Sequence, residues 1–152
     1  MIICDLDGTL TLPDNHAFVC MGKTHTKEEI LKIMNPVRIA RLLPNTDVIK
    51  DLAAYSRDGH KIAIITARWN ILWAVTIAWL KQYNVIFDYL GMRRHQDFEL
   101  SSVRVKMGLF EHFMLNEGLR LSDNKFIWID DDVEMLNEVS KLPHMQCVKV
   151  TT

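Results

Sequence analysis

Three short apolar runs in this chain each end on residues able to do polar chemistry. Asp5 and Asp7 follow Ile2-Ile3-Cys4, Thr66 follows Ile62-Ala63-Ile64-Ile65, and Asp130, Asp131 and Asp132 follow Phe126-Ile127-Trp128-Ile129. Carboxylates drawn from two such segments make an oxygen-only site suited to Mg²⁺, a hard cation that keeps waters for a phosphate to displace. Thr66 adds a hydroxyl donor, and Lys106 adds a fixed positive charge. Asp5, Asp7 and Asp130 could be merely structural, but several buried like charges without a cation are costly. Asp132 stands just before a helical run and reads as an N-cap. Histidines 16, 25, 60, 95, 112 and 144 lack ligand spacing and read as surface or core residues.

These residues need elements that bring them together. Short β-rich runs at Met1–Cys4, Lys61–Ile65, Val85–Leu90, Phe126–Ile129 and Gln146–Val150 alternate with helical stretches at Asp47–Arg57, Ile71–Gln82, Val103–Asn116 and Val133–Lys141. That alternation predicts an α/β, three-layer, Rossmann-like fold with a central parallel sheet of about five strands. Asn70 is expected to cap the second helix. The long stretch between Gly8 and Pro44 contains Thr26 with Glu29 three residues on, a capping-box pattern, and predicts a small helical insertion at about residues 20–45. In an open parallel sheet, ligands bind beyond the carboxyl ends of the strands, so the three polar clusters converge on one crevice, within reach of Lys106.

The set Asp5-Leu-Asp7-Gly8-Thr9, Thr66 ending an apolar strand, Lys106, and Asp130-Asp131 ending another resembles, in order, the four signatures of the haloacid dehalogenase-like (HAD) phosphohydrolase superfamily. Within it, the chain is most similar to the phosphatase domain of bacteriophage polynucleotide kinases, through Asp5-Leu-Asp7-Gly8-Thr9-Leu10-Thr11, Thr66-Ala67-Arg68, Met92-Arg93-Arg94 and Ile129-Asp130-Asp131 with Val133-Glu134-Met135 after it. It departs in the helical segment around residues 24–43, in Ser101 and Ser102 where that relative carries an acid, and in the lack of a kinase domain or Walker motif within these 152 residues.

The resemblance implies a phosphomonoesterase. Asp5 would attack phosphorus and form an aspartyl-phosphate, and Asp7 would protonate the leaving alcohol and then deprotonate the hydrolytic water. Thr66, Lys106 and main-chain amides of the Asp5–Gly8 turn would hold the transferring oxygens, and Asp5, the Asp7 carbonyl, Asp130 and Asp131 would ligate Mg²⁺ or orient Lys106. Thr66, Ala67, Arg68, Arg93 and Arg94 are the implied substrate contacts. A patch of Arg68, Arg93, Arg94 and Arg104 beside Lys106 would favour phosphorylated nucleic-acid ends or nucleotide 3′-phosphates over a free nucleotide or another small phosphomonoester. A signalling receiver also gathers acids, Thr and Lys on a parallel sheet, but there the acceptor Asp lies on the third strand and Lys comes last, whereas here the acidic pair does.

Composition narrows the class. The 152 residues are 49% hydrophobic and 24% charged, as in an ordinary folded domain, and one domain is expected. Eighteen Lys and Arg against nineteen Asp and Glu give a net charge of -1, which excludes a global basic field for coating nucleic acid or an anionic membrane. Cys4, Cys20 and Cys147 form no CxxC pair, and no secretory leader is legible, so a reducing, cytoplasmic setting is expected. Ile71–Leu80 is about half the roughly 20 residues of a membrane span. It is apolar nearly all round, which places Trp73 and Trp79 in the core or, for one of them, in a homodimer contact. Trp128 is expected in the core, and Trp69 beside Arg68 reads as packing more than base stacking.

Overall fold

In the computed structural model, residues 1–14, 28, 32 and 35–152 are described. Five strands, β1 (Ile2–Cys4), β2 (Ile62–Trp69), β3 (Tyr89–Arg93), β4 (Phe126–Asp130) and β5 (Met145–Lys149), pair in parallel in the order β3-β2-β1-β4-β5. Among the described residues, the helices with both ends described are α1 (Pro36–Ala40), α2 (Thr46–Arg57), α3 (Trp73–Gln82), α4 (Ser102–Asn116) and α5 (Val133–Val139).

β1, β2 and β4 are apolar up to their carboxyl ends because both faces are covered, whereas the edge strand β5 carries Gln146 and Lys149 and is partly exposed. Side chains alternate across the sheet: Ile2, Cys4, Ile62, Ile64 and Ile129 pack with Leu52 of α2 and Trp79 and Leu80 of α3. Ile3, Ala63, Ile65, Phe126 and Trp128 pack with Val105, Phe110 and Phe113 of α4 and Met135 of α5. The three-layer expectation holds. β1 sits at the centre, with Ile2 opposite both Ile62 and Ile127, so the residue leaving its carboxyl end emerges between two neighbouring strands.

Several boundaries differ from expectation. β2 runs three residues beyond Thr66, and its register against β3 shifts between Thr66 and Trp69, an irregularity of the kind that re-aims side chains at a sheet end. The third strand begins at Tyr89, not Val85. Asn84 takes a left-handed φ of +53° and the Val85 amide donates to Leu80 O, so this segment closes α3 instead. Asn70 opens a short 3₁₀ turn, Asn70–Leu72, and caps nothing with its side chain. α5 stops at Val139, two residues short of the expected end.

Within the expected insertion, α1 starts at the Asn35 cap, whose side chain accepts the Arg38 amide at 3.0 Å, with Pro36 as the first helical residue. Thr26 and Glu29, like His16, Cys20 and His25, lie outside the described residues. Trp79 is 2% exposed and donates through Nε1 to Leu42 O at 2.8 Å, so it belongs to the core and offers nothing to a second copy. Trp73, in contrast, is nearly half exposed. No helix among the described residues is long and apolar enough to cross a membrane.

Candidate active site

The carboxyl ends of β1, β2 and β4 open into a cavity of about 500 Å³ lined by Asp5, Asp7, Thr66, Arg68, Lys106 and Asp131, with Ala67, Ser102, Asp14 and Asp132 around them. Asp5 is buried, and its amide donates to Ile129 O at 2.9 Å, which extends the β1–β4 ladder by one step and fixes where the carboxylate stands. Lys106, on the first turns of α4, reaches from behind: Nζ lies 3.1 Å from Asp5 Oδ1 and 2.9 Å from Asp130 Oδ2. Asp130 is fully buried and also accepts from Trp128 Nε1 at 3.2 Å and from the Asp132 amide at 3.0 Å. Trp128 and Asp130 share a face because a strand repeats every two residues.

Asp131 is set by Thr9. The Thr9 hydroxyl donates to Asp131 Oδ1 at 3.1 Å, and its oxygen accepts the Asp131 amide at 3.1 Å. Gly8 makes room for this: at φ +79°, a Cβ there would stand 2.6 Å from Asp131 Oδ2. One carboxylate oxygen from each of Asp5, Asp130 and Asp131 falls within 4.8 Å of the others. Three such hard oxygen donors fit a divalent cation that prefers oxygen. The Asp7 carboxylate stands apart from this group.

The charges press on one another. Burial pushes Asp5 well above the usual carboxylate range and the neighbouring Asp130 adds to it, while Lys106 opposes. Asp131 is raised by burial and then by Asp130. Burial works against the Lys106 charge, but Asp5 and Asp130 outweigh it and hold the ammonium above its ordinary value. A cation among the carboxylates inverts this balance, because it favours their ionised form.

The arginines part company. Arg68 grips Asp7, with Nε 3.1 Å from Oδ2 and Nη2 on Oδ1. Arg93, the last residue of β3, is 6% exposed, and its guanidinium is spent on the main-chain carbonyls of Ala67, Asp97, Phe98 and Leu100 at 2.8 to 3.2 Å. It ties down the loop before α4 and does not line the cavity. Arg94 is exposed and pairs with Asp97 at 2.8 Å, and Arg104 is exposed on α4; neither lines the cavity. The expected basic patch beside Lys106 is therefore not assembled: only Arg68 of the four reaches the cavity. The physical reason is the shift of β3, which places Arg93 inside a strand end where burial demands that its donors be satisfied.

Two turn amides are also committed elsewhere. The Asp5 amide serves the sheet, and the Gly8 amide donates to Thr11 Oγ1 at 3.1 Å. The Thr66 oxygen accepts the Arg68 amide at 3.1 Å, which leaves its O–H to donate into the cavity. Asp132 caps α5 as expected, accepting the Glu134 amide at 2.9 Å. Trp69 packs against Phe98 at 5.1 Å between ring centres and is nearly buried, as its structural reading implied. Thr9, quoted only within the Asp5-Leu-Asp7-Gly8-Thr9 signature, Trp128, expected only to pack the core, and Thr76 hold roles the sequence did not assign; the two-residue spacing of Trp128 from Asp130 and the place of Thr9 in the signature were the signals for them.

No family model and no curated protein matches the sequence. Solved structures match the fold. A chain of the Pnkp1/Rnl/Hen1 complex superposes with a TM-score of 0.68 at 23% identity, over 98% of this chain and 45% of its own. The chain has the fold of the HAD-like phosphatases. Phosphoserine phosphatase, as its phospho-aspartyl intermediate analogue, superposes with a TM-score of 0.62 at 15% identity, covering 95% of this chain and 83% of the other. A HAD family hydrolase from Salmonella enterica serovar Typhi gives 0.60 at 14% identity, over 90% and 58%. The present chain thus spans less than half the length of the Pnkp1/Rnl/Hen1 chain it matches. The strand order also differs from the 2-1-3-4-5 of flavodoxin-like receivers, which removes the support for the receiver reading.

Proposed function

We propose that this protein is a Mg²⁺-dependent phosphomonoesterase that works through an aspartyl-phosphate on Asp5. The observation that carries the reading is the meeting of Asp5, Lys106, Asp130 and Asp131 at the mouth of the central strand, with the Thr66 hydroxyl on the same cavity. Asp5 presents a carboxylate oxygen for in-line attack on phosphorus. Lys106 and Thr66 supply the charge and the hydrogen bond that hold the phosphoryl oxygens as negative charge builds on them. Mg²⁺ held by Asp5, Asp130 and Asp131 would neutralise these carboxylates and polarise the phosphate. Asp7 carries the proton to the leaving oxygen and then takes one from the attacking water.

A small phosphomonoester, such as a free nucleotide, is the substrate class the described cavity favours. Five carboxylates (Asp5, Asp7, Asp14, Asp131, Asp132) and two cations (Arg68, Lys106) line it, and both cations are already paired with acids. A chain of backbone phosphates would need matching cations there. The likeness to the Pnkp1/Rnl/Hen1 chain favours the competing substrate, a polynucleotide 3′-phosphate. Purified protein assayed on a nucleoside monophosphate and a 3′-phosphorylated oligonucleotide separates them. We expect the mononucleotide to match or exceed the oligonucleotide in kcat/KM, with little salt dependence and no effect of Arg94→Ala. Activity that persists in excess chelator, or in Asp5→Asn, would refute the reading as a whole.

A further inference from the structure

Asp7 stands on the loop after β1 with its side chain only 13% exposed, facing a cavity crowded with other acids. Its orientation has one evident source. Arg68 meets both carboxylate oxygens with Nε and Nη2, and its Nη1 donates to the Thr76 hydroxyl on α3 at 3.0 Å. The Arg68 side chain is 0% exposed and Thr76 is fully buried, so the guanidinium is clamped between a core helix and Asp7. An arginine fork holds a carboxylate in plane, which a point-charge lysine cannot do. Because each oxygen keeps a second lone-pair site, the carboxyl stays open to the leaving oxygen on its cavity side.

We propose that Arg68 is a positioning residue that holds the Asp7 carboxyl at the leaving-group oxygen, with Thr76 as its anchor, and that it is not a substrate contact. The inference rests on the phosphomonoesterase reading above. In that reaction an Asp5 oxygen bonds to phosphorus as the P–O ester bond breaks, and the departing oxygen keeps the bonding pair and receives the Asp7 proton. The Asp7 carboxylate then takes a proton from water, whose oxygen bonds to phosphorus as the Asp5–phosphorus link breaks. The products are the alcohol, inorganic phosphate and the regenerated carboxyl groups. Arg68 acts only on where that proton stands.

The test compares an aryl phosphate, whose leaving group needs little proton assistance, with an alkyl phosphate, which needs it fully. For Arg68→Gln, we expect the single-turnover rate of Asp5 phosphorylation to fall by about 10² with the alkyl ester and by less than about threefold with the aryl ester, with KM nearly constant for both, while steady-state turnover falls on both because hydrolysis of the aspartyl-phosphate uses the same Asp7. Combining it with Asp7→Asn should add no further loss on the alkyl ester, and Arg68→Lys should restore only part of it. Should Arg68→Gln fail to fold, Thr76→Val carries the test, with an expected fall in the alkyl-to-aryl ratio of Asp5 phosphorylation rates of roughly three- to tenfold, from partial loss of the same proton delivery. A KM rise of equal size on both esters would make Arg68 a substrate contact, and equal losses on both in the rate of Asp5 phosphorylation, or an unchanged ratio in Thr76→Val, would make it structural; each overturns the inference alone. If the unaltered protein hydrolyses neither ester, the activity reading falls and takes this inference with it.

Discussion

Replacing Asp5 by Asn should make the chelated protein more stable while it destroys activity. In the folded state Asp5 lies 3.1 Å from Lys106 and within 4.8 Å of carboxylate oxygens on both Asp130 and Asp131. At an effective dielectric constant of about 20, each like-charge contact at that outer distance costs about 3.5 kcal/mol and the Lys106 contact returns about 5 kcal/mol, so the two repulsions exceed the one attraction by roughly 2 kcal/mol. Desolvation of the buried carboxylate adds to the penalty. The amide of Asn keeps the shape and can still accept from Lys106, so a net gain of about 1 to 3 kcal/mol is expected, or roughly 2 to 10 °C in Tm for a chain of this size. Thermal melts in excess chelator at pH 7.5, repeated with millimolar Mg²⁺, measure it. Mg²⁺ should raise the Tm of the unaltered protein and raise that of Asp5→Asn distinctly less. An Asp5→Asn variant that melts at or below the unaltered protein in chelator, or that keeps the full Mg²⁺ response, would refute the reasoning.

The same crowding sets a pH dependence. The folded Asp5 and Asp131 carboxyls are raised above their ordinary values, so the folded state binds more protons than the unfolded chain does. Their contribution to stability is present below the unfolded carboxylate range, about pH 4, and is lost as pH rises toward the folded values. Melts in chelator from pH 5 upward should therefore show a falling contribution that saturating Mg²⁺ removes. Gly8→Ala combines a strained φ of +79° with a Cβ 2.6 Å from Asp131 Oδ2; we expect a loss of about 1 to 2 kcal/mol and a weaker Mg²⁺-induced rise in Tm. Arg93→Gln, which strips donors from four main-chain carbonyls, should cost about 2 to 4 kcal/mol in chemical denaturation and loosen the 94–101 loop by hydrogen exchange, with kcat affected less than stability. Trp128→Phe removes one donor from Asp130 while Lys106 remains, so a loss of about 1 kcal/mol is expected by the same method.

The apolar runs and the residues at their ends determined, from sequence alone, the parallel sheet and the convergence of Asp5, Thr66, Lys106, Asp130 and Asp131. The reason is periodicity: strands buried on both faces must be apolar throughout, and whatever polar residue follows them stands at the carboxyl edge, where ligands bind in such sheets. Asp132 was legible as a cap for a similarly local reason, since its side chain serves an amide two residues away. The arginines were not, because a guanidinium on a long stem goes wherever unsatisfied acceptors lie, whether in another element or in the loop that follows it. Arg68 found Asp7 on the loop after β1 and Thr76 on α3, and Arg93 found the carbonyls of a loop whose position depends on where β3 begins. That start was decided by how α3 closes at Asn84 and Val85, and the re-aiming of Thr66 through Trp69 by a register shift between neighbouring strands. Which cations face the cavity, and hence how much anionic charge a substrate can bring, is a property of tertiary packing that residue types and spacing do not carry.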